Sequence, residues 1–251
     1  MLIRVKTAVM EISIHNARWF YECMAKISEQ ATHLTLEFPK KTKVMPSGHA
    51  LLELLSDECR TRQVTLQLEG VRYIPFKKFP VHEHGFSMDW FQEVLKPGLI
   101  DNFLERNSND FTEDEAFDLR LLFSELTQNA KDHSGSEKFL VLLEKSGIGV
   151  FDLGVGVPAK LSQKYTFAND MEALMLSMKE GITTRRLRKG GLGLYYTLDL
   201  IKKNAGTLTF ISGRAQLKRF IKSKKVDRKT LKTHFPGTLI YCELKTKKRK
   251  K

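Results

Sequence analysis

Four separated segments of this 251-residue chain carry residue types whose spacing could do chemistry. In the run 125–133, Glu125, Asn129 and Asp132 stand at i, i+4 and i+7, so on a helix they project from one face. A carboxylate, a carboxamide and a second carboxylate on one stripe suit oxygen ligation of magnesium, with one carboxylate left to orient a water. The same stripe also reads as an ordinary solvated face. The second segment is an apolar run ending at Asp152, followed by Gly154 and Gly156. A carboxylate there can accept a hydrogen bond from an exocyclic amine such as that of adenine, and the glycines let the backbone approach a ligand closely. A glycine-rich turn after a strand is the plain alternative. In the third segment Gly190, Gly191, Leu192, Gly193 and Leu194 lead straight into a helical pattern. Such glycines leave free backbone N–H groups at a helix N-terminus, where phosphate binds. No GK[ST] follows, which excludes a Walker loop, and no strand leads into it, which argues against a dinucleotide fingerprint. Fourth, Pro236-Gly237-Thr238 enters the last strand, where the Thr238 hydroxyl could hydrogen-bond near the Asp152 carboxylate; alone it reads as a hairpin turn.

Those residues need a frame, and the hydrophobic pattern supplies one. A long helix begins near Phe111, with Leu119, Leu122, Phe123 and Leu126 forming a stripe that runs on to Ala130. Strands are expected at 138–143 and 148–152, helices at 171–179 and 193–203, and strands at 207–212 and 238–244. The first part of the chain alternates strand and helix signals: a β-like run at 2–5, helical spacing over 17–31, an alternating strand at 33–38, a helix opened by Pro46-Ser47-Gly48, and a strand at 64–68. That order predicts a small α/β unit with parallel pairing. Residues 70–98, with Pro75, Pro80, His82, His84, Pro97 and Gly98, lose the regularity and read as a linker or docking segment. His82 and His84 have no carboxylate or Cys cluster at metal spacing and read as polar loop residues. The expected organisation is a regulatory unit and linker over 1–95 and a second domain over 96–251. The fold class expected is α/β, an α+β two-layer sandwich with a mixed sheet covered by helices.

Composition bounds the function classes. Hydrophobic residues make up 41% and charged residues 28%, as in a soluble globular protein. No apolar run approaches the ~18 residues that span a bilayer, so no membrane association is expected. Cys23, Cys59 and Cys242 lack framework or metal spacing, which makes a reducing cytoplasm the default expectation. The net charge of +13 is local: residues 1–212 hold 27 basic and 27 acidic side chains, whereas 213–251 hold 15 basic ones against Asp227 and Glu243.

In this order and spacing, the run from Glu125 to His133, the Asp152–Gly156 box and the Gly190–Leu194 box resemble the Bergerat-fold ATPases. That family joins gyrase B subunits, heat-shock chaperones, mismatch-repair ATPases, histidine kinases and anti-sigma-factor kinases. The resemblance covers roughly 100–245 and implies ATP and magnesium as cofactors. It implies that Asn129 ligates magnesium and that Asp152 reads the adenine amine, directly and through a water shared with Thr238. Gly154 and Gly156 would shape the adenine pocket, and Gly190, Gly191, Leu192, Gly193 and Leu194 would form the phosphate cradle. Glu125 occupies the general-base position, beside the metal, although kinase members carry Glu there as well. Asp132 stands where many histidine kinases have Lys and leans towards the gyrase and mismatch-repair pattern. The stretch 157–189 would be a mobile lid, whose end at Thr183, Thr184, Arg185, Arg186 and Arg188 puts hydroxyls and cations near the expected phosphates. The transducer domain that follows in gyrase-type enzymes is not expected within these 251 residues.

The remaining segments bear on role. The stretch 33–63 looks loosely like the STAS regulatory domain of anti-sigma-factor antagonists, in which a Ser at such a turn is phosphorylated. The usual preceding Asp is absent, and Ser47 reads as a helix N-cap. Residues 214–232 carry nine basic residues between the last two strands, and 245–251 add six. Such density suits nucleic-acid phosphates, an acidic protein partner or a solvated tail. The expectation is a cytoplasmic, magnesium-dependent ATP-binding regulatory protein, a slow ATPase or an ATP-driven switch with a protein partner. The rivals are an anti-sigma-type serine/threonine kinase and an ATP-gated nucleic-acid-binding adaptor.

Overall fold

The computed structural model describes residues 1–27, 30–71, 86–91, 98–136, 139–145, 147–182, 193–204 and 206–244, with the backbone alone for 86–91 and Gly193. The chain divides into two compact units, Met1–His84 and Gly85–Lys251. Both are of α/β type: parallel pairing is found in the first and antiparallel pairing in the second.

In the first unit β1 (Leu2–Lys6), β3 (His33–Glu37) and β5 (Thr65–Glu69) pair in that order as a parallel sheet. Between them run β2 (Glu11–Ile12), α1 (Arg18–Lys26), β4 (Lys43–Val44) and α2 (Pro46–Thr61). Alternation puts Ile3, Val5, Leu34 and Leu36 inside, with Trp19, Phe20 and Cys23 of α1 and Leu51, Leu52, Leu54 and Leu55 of α2 buried as well. The small β2–β4 pair sets the start of α2 against the segment after β2. Met45 occupies the N-cap and Pro46 the first helical position, where its missing N–H costs nothing. Ser47 is therefore inside the helix rather than its cap. Its Oγ accepts the Ile14 N–H at 3.2 Å and the residue is 5% exposed. Gly48 is required by the same contact, since a Cβ there would lie 2.1 Å from the Ile12 carbonyl oxygen.

The second unit begins with β6 (Phe86–Phe91), a strand inside the stretch expected to be a linker, and α3 (Leu99–Arg106). Then come α4 (Glu113–His133), β7 (Phe139–Glu144), β8 (Gly147–Asp152), α5 (Gly156–Leu161), α6 (Asp170–Ser177), α7 (Gly193–Lys203), β9 (Thr207–Phe220) and β10 (Lys225–Glu243). The sheet order is β6-β7-β8-β10-β9. Phe139, Val141, Leu143, Ile148, Val150, Ile240 and Cys242 share one core with Leu119, Leu122 and Leu126 of α4 and with Leu198 and Ile201 of α7. Leu140, Leu142, Phe151, Leu239 and Tyr241 alternate with them and are also buried, which is why β7 and β8 read as unbroken apolar runs. A capping box starts α4: Thr112 Oγ1 accepts the Glu115 N–H at 3.2 Å, and Glu115 Oε2 accepts the Thr112 N–H at 2.8 Å. Asp118 of α4, 2% exposed, accepts from Lys203 Nζ at 3.0 Å and Asn204 Nδ2 at 2.8 Å, which ties α4 to the end of α7.

The last two strands are longer than their apolar cores. Residues 214–232, expected to lie between the last two strands, instead extend them as the paired ends of β9 and β10, from Ala215↔Thr230 to Phe220↔Lys225. Fourteen extended residues would span roughly 46 Å. Yet the Ile221 N–H donates to the Gly206 carbonyl at 3.1 Å, so the ribbon doubles back on itself. Gly213 at φ +59° and the register shifts between Thr230 and Thr238 make the bend. Among the described residues no helix is long and apolar enough to cross a membrane.

Candidate functional site

The chemistry-bearing residues gather where β8 ends. The last residue of β8, Asp152, lies opposite Thr238 of β10, and Thr238 lies opposite Ser212 of β9. Period-two alternation puts all three on the face that carries Ile148, Val150, Phe210 and Ile240, the face of the helical core. The expected closeness of Asp152 and Thr238 is thus a matter of strand register.

Asp152 is 3% exposed, and burial pushes its carboxyl up to about 7. The backbone N–H groups of Gly154 (2.9 Å to Oδ1) and Thr238 donate to it and pull the other way. Desolvation outweighs them. A carboxylate in this state favours a further donor that would stabilise its charged form.

The surrounding glycines have reasons of their own. A Cβ on Gly154 would lie 2.1 Å from the Ser134 carbonyl oxygen, and that carbonyl accepts the Val155 N–H at 2.8 Å. The glycine lets the turn after β8 dock on the end of α4. Gly156 has φ +77°, a left-handed conformation that side chains disfavour. Gly237, at φ +104°, leaves no space for a Cβ beside the Asp152 carbonyl oxygen, 2.2 Å away. Backbone packing thus accounts for Gly154 and Gly237 without any ligand.

Sequence reasoning missed Ser212. Its Oγ donates to the Gly237 carbonyl at 2.6 Å and accepts the Val157 N–H at 2.9 Å, joining the turns on either side of Asp152. The signal available was a polar residue closing the apolar run 207–212, in register with Thr238.

On α4, which packs against β8, Glu125 and Asn129 are half-buried. The Asn129 Nδ2 is buried and has no hydrogen-bond partner among the described residues. A carboxamide donor left this way costs about 1–3 kcal/mol and calls for an explanation. Asp132 differs from both: it is exposed and accepts from Gln128 Nε2 at 2.8 Å, so the three-residue stripe divides into a half-buried pair and a solvated acid. Among the described residues no group of three or more His, Cys, Asp or Glu is placed to hold a metal ion.

Of the phosphate-box residues, Gly193 begins α7 and Leu194 is half-buried in its first turn. Gly190, Gly191, Leu192, Thr184 and the rest of 183–192 lie outside the described residues, as do His82, His84 and 245–251. The described part of the expected lid contains α5 and α6, with Leu161, Ala173 and Leu174 buried. Leu174 belongs to the core of the unit, and α5 and α6 pack on β9. No family model matches the chain, and no curated protein or solved structure gives a match.

Proposed function

We propose that the second unit binds ATP with magnesium, as a module of the Bergerat type, and that the chain is a regulatory ATPase or ATP-driven switch. The observation that carries this reading is a buried carboxylate that stays raised although it accepts two N–H groups, with a buried, unpartnered amide donor on the neighbouring helix. Asp152 is a buried carboxylate raised to about 7, held in register with Thr238, and Asn129, on the helix packed against that strand, has a buried Nδ2 with no partner among the described residues.

Each group fits one part of the nucleotide. The exocyclic amine of adenine is a donor that Asp152 would accept, lowering the cost of its charge. Asn129 would offer its Oδ1 and Glu125 its carboxylate to the metal as hard oxygen ligands, which leaves the unpartnered Asn129 Nδ2 to donate to a phosphate oxygen. Magnesium keeps several waters and is commonly held by one or two protein groups plus substrate phosphates, in keeping with the lack of a larger acidic cluster among the described residues. Glu125 would then orient a water. Gly193 at the start of α7 supports a phosphate position. Magnesium supplies charge neutralisation of the phosphates when bound.

Magnesium-dependent ATP binding and phosphate release, measured for wild type, Asn129→Ala and Glu125→Ala, test this. Wild type binds, Asn129→Ala loses about tenfold or more in affinity, and Glu125→Ala binds without releasing phosphate. A wild-type protein that binds no ATP overturns the reading. For the kinase alternative, transfer within the chain gains no support from Ser47, which is buried and bonded to the Ile14 N–H.

A further inference from the structure

We propose that the doubled-back ribbon of β9 and β10 is a docking surface for the phosphate backbone of duplex nucleic acid. The proposal stands apart from the nucleotide site. It rests on where the charge excess lies and on how the ribbon sorts its side chains.

All of the +13 net charge comes from residues 213–251, and nine of those basic residues fall between Arg214 and Lys232. In a loop they would point in every direction. In a ribbon the pleat separates them. Ala215 and Leu217 are 1% and 2% exposed and belong to the core of the second unit, with Val226 packed against it. That fixes one face inward along Ala215 and Leu217, although Arg228, opposite Leu217 on that face, reaches solvent and Arg219, opposite Val226, is half-buried. The pairs Gln216↔Lys229, Lys218↔Asp227 and Phe220↔Lys225 alternate with these and occupy the other face. The outer face therefore carries Lys218, Lys225 and Lys229 against one acid, Asp227, and Lys222 and Lys224 extend it at the exposed turn. Successive outward residues on a strand lie roughly 6.6 Å apart, so Lys225 and Lys229 stand roughly 13 Å apart on β10 with Asp227 between them, and Lys218 faces Asp227 from β9.

The aromatic on this face decides between ligands. Single strands are held by bases stacking on exposed rings. Here Lys218 and Lys225 place their ammonium groups 5.0 and 5.9 Å from the centre of the half-buried Phe220 ring. The ring serves the lysines by cation–π attraction, and its faces are not open platforms. What remains is a set of spaced cations around Asp227, extended by Lys222 and Lys224 at the turn, that reads charge and not bases, as sequence-independent duplex contacts do.

Fluorescence anisotropy with a labelled duplex of arbitrary sequence, titrated by the full chain at rising salt, tests the assignment. Wild type binds with a steep salt dependence. Lys218→Gln, Lys225→Gln and Lys229→Gln together flatten the slope of log K against log salt by about 2.7 and weaken binding about 500-fold at 0.1 M salt, from a slope near −0.9 per phosphate. Asp227→Asn, which frees Lys225 from the 3.2 Å ion pair it makes, strengthens binding several-fold, a direction that misfolding does not give. Four results overturn the proposal: no duplex binding at 50 mM salt, tighter binding of a single strand, equal binding of an acidic polypeptide, or loss of binding on deleting 245–251 with no effect of the three lysine substitutions.

Discussion

Ser47 and Asp152 are both buried polar side chains at the end of a regular element, yet their neighbours treat them differently. Ser47 sits in the first turn of α2 with its hydroxyl engaged by the Ile14 N–H, and Gly48 beside it lets β2 close over the contact. Every feature there is used up in holding the first unit together. At the end of β8, Asp152 accepts two N–H groups and still has its carboxyl raised to about 7, while Asn129 on α4 keeps a buried donor with no partner among the described residues. Polar groups whose needs are met inside the protein explain a fold. An open need matters for binding where it lies beside a candidate site, as at Asn129; Trp19 Nε1 and Thr209 Oγ1 are also buried without a partner among the described residues.

Substitutions can break that comparison, beginning with the one expected to be largest. Gly154→Ala drives a Cβ into the Ser134 carbonyl and should cost about 3 kcal/mol or more, seen as a collapse of the urea midpoint. Asp152→Asn comes next, with the opposite sign. Between pH 4 and 7 the folded state keeps a proton on Asp152 that the unfolded state has released, so wild-type stability falls as pH rises from about 4 to about 7 and then levels. The Asn variant lacks this slope. Above pH 7 it should be more stable by on the order of 2 kcal/mol, allowing for relaxation around the buried charge, while losing affinity for ATP. Denaturant melts across pH 4–8 check both statements.

Ser47→Ala leaves the Ile14 N–H without its acceptor and should destabilise by about 1–2 kcal/mol without altering ATP affinity. The smallest stability effect belongs to Asn129→Ala. It removes a donor buried at a cost of about 1–3 kcal/mol but leaves a hole where the half-buried side chain packed. The two effects offset, so stability should change by less than about 0.5 kcal/mol, with binding lost all the same. A large destabilisation by Asn129→Ala would place Asn129 with Ser47, among the residues that hold the fold.

Much of this contrast could be read from residue types. Asn129 and Asp152 stood out because carboxamides and lone carboxylates are unusual beside apolar stripes, whereas the nearness of Asp152 and Thr238 was implied by the family resemblance and not by any local pattern. Helix 193–203 was legible because its period matched and the glycines marked its start. The ribbon at 214–232 was not: outward lysines alternate with few inward apolar residues, and its pairing depends on a bend at Gly213 that no local pattern records. Strand β6 was hidden among prolines and histidines, because pairing with β7 is long-range. Nor could spacing show that Gly154 is required by the Ser134 carbonyl, or that Asp132 turns to Gln128 and solvent.

The most direct measurement is the thermal midpoint of wild type, Asn129→Ala and Asp152→Asn with and without saturating ATP and magnesium. A ligand at a hundred times its Kd stabilises the state it binds by about 2.7 kcal/mol. The midpoint of wild type should rise by several degrees only when both ATP and magnesium are present, and the two variants should show little or no rise. Equal rises in all three proteins, or none in wild type, would contradict the assignment of Asp152 and Asn129 to a nucleotide site.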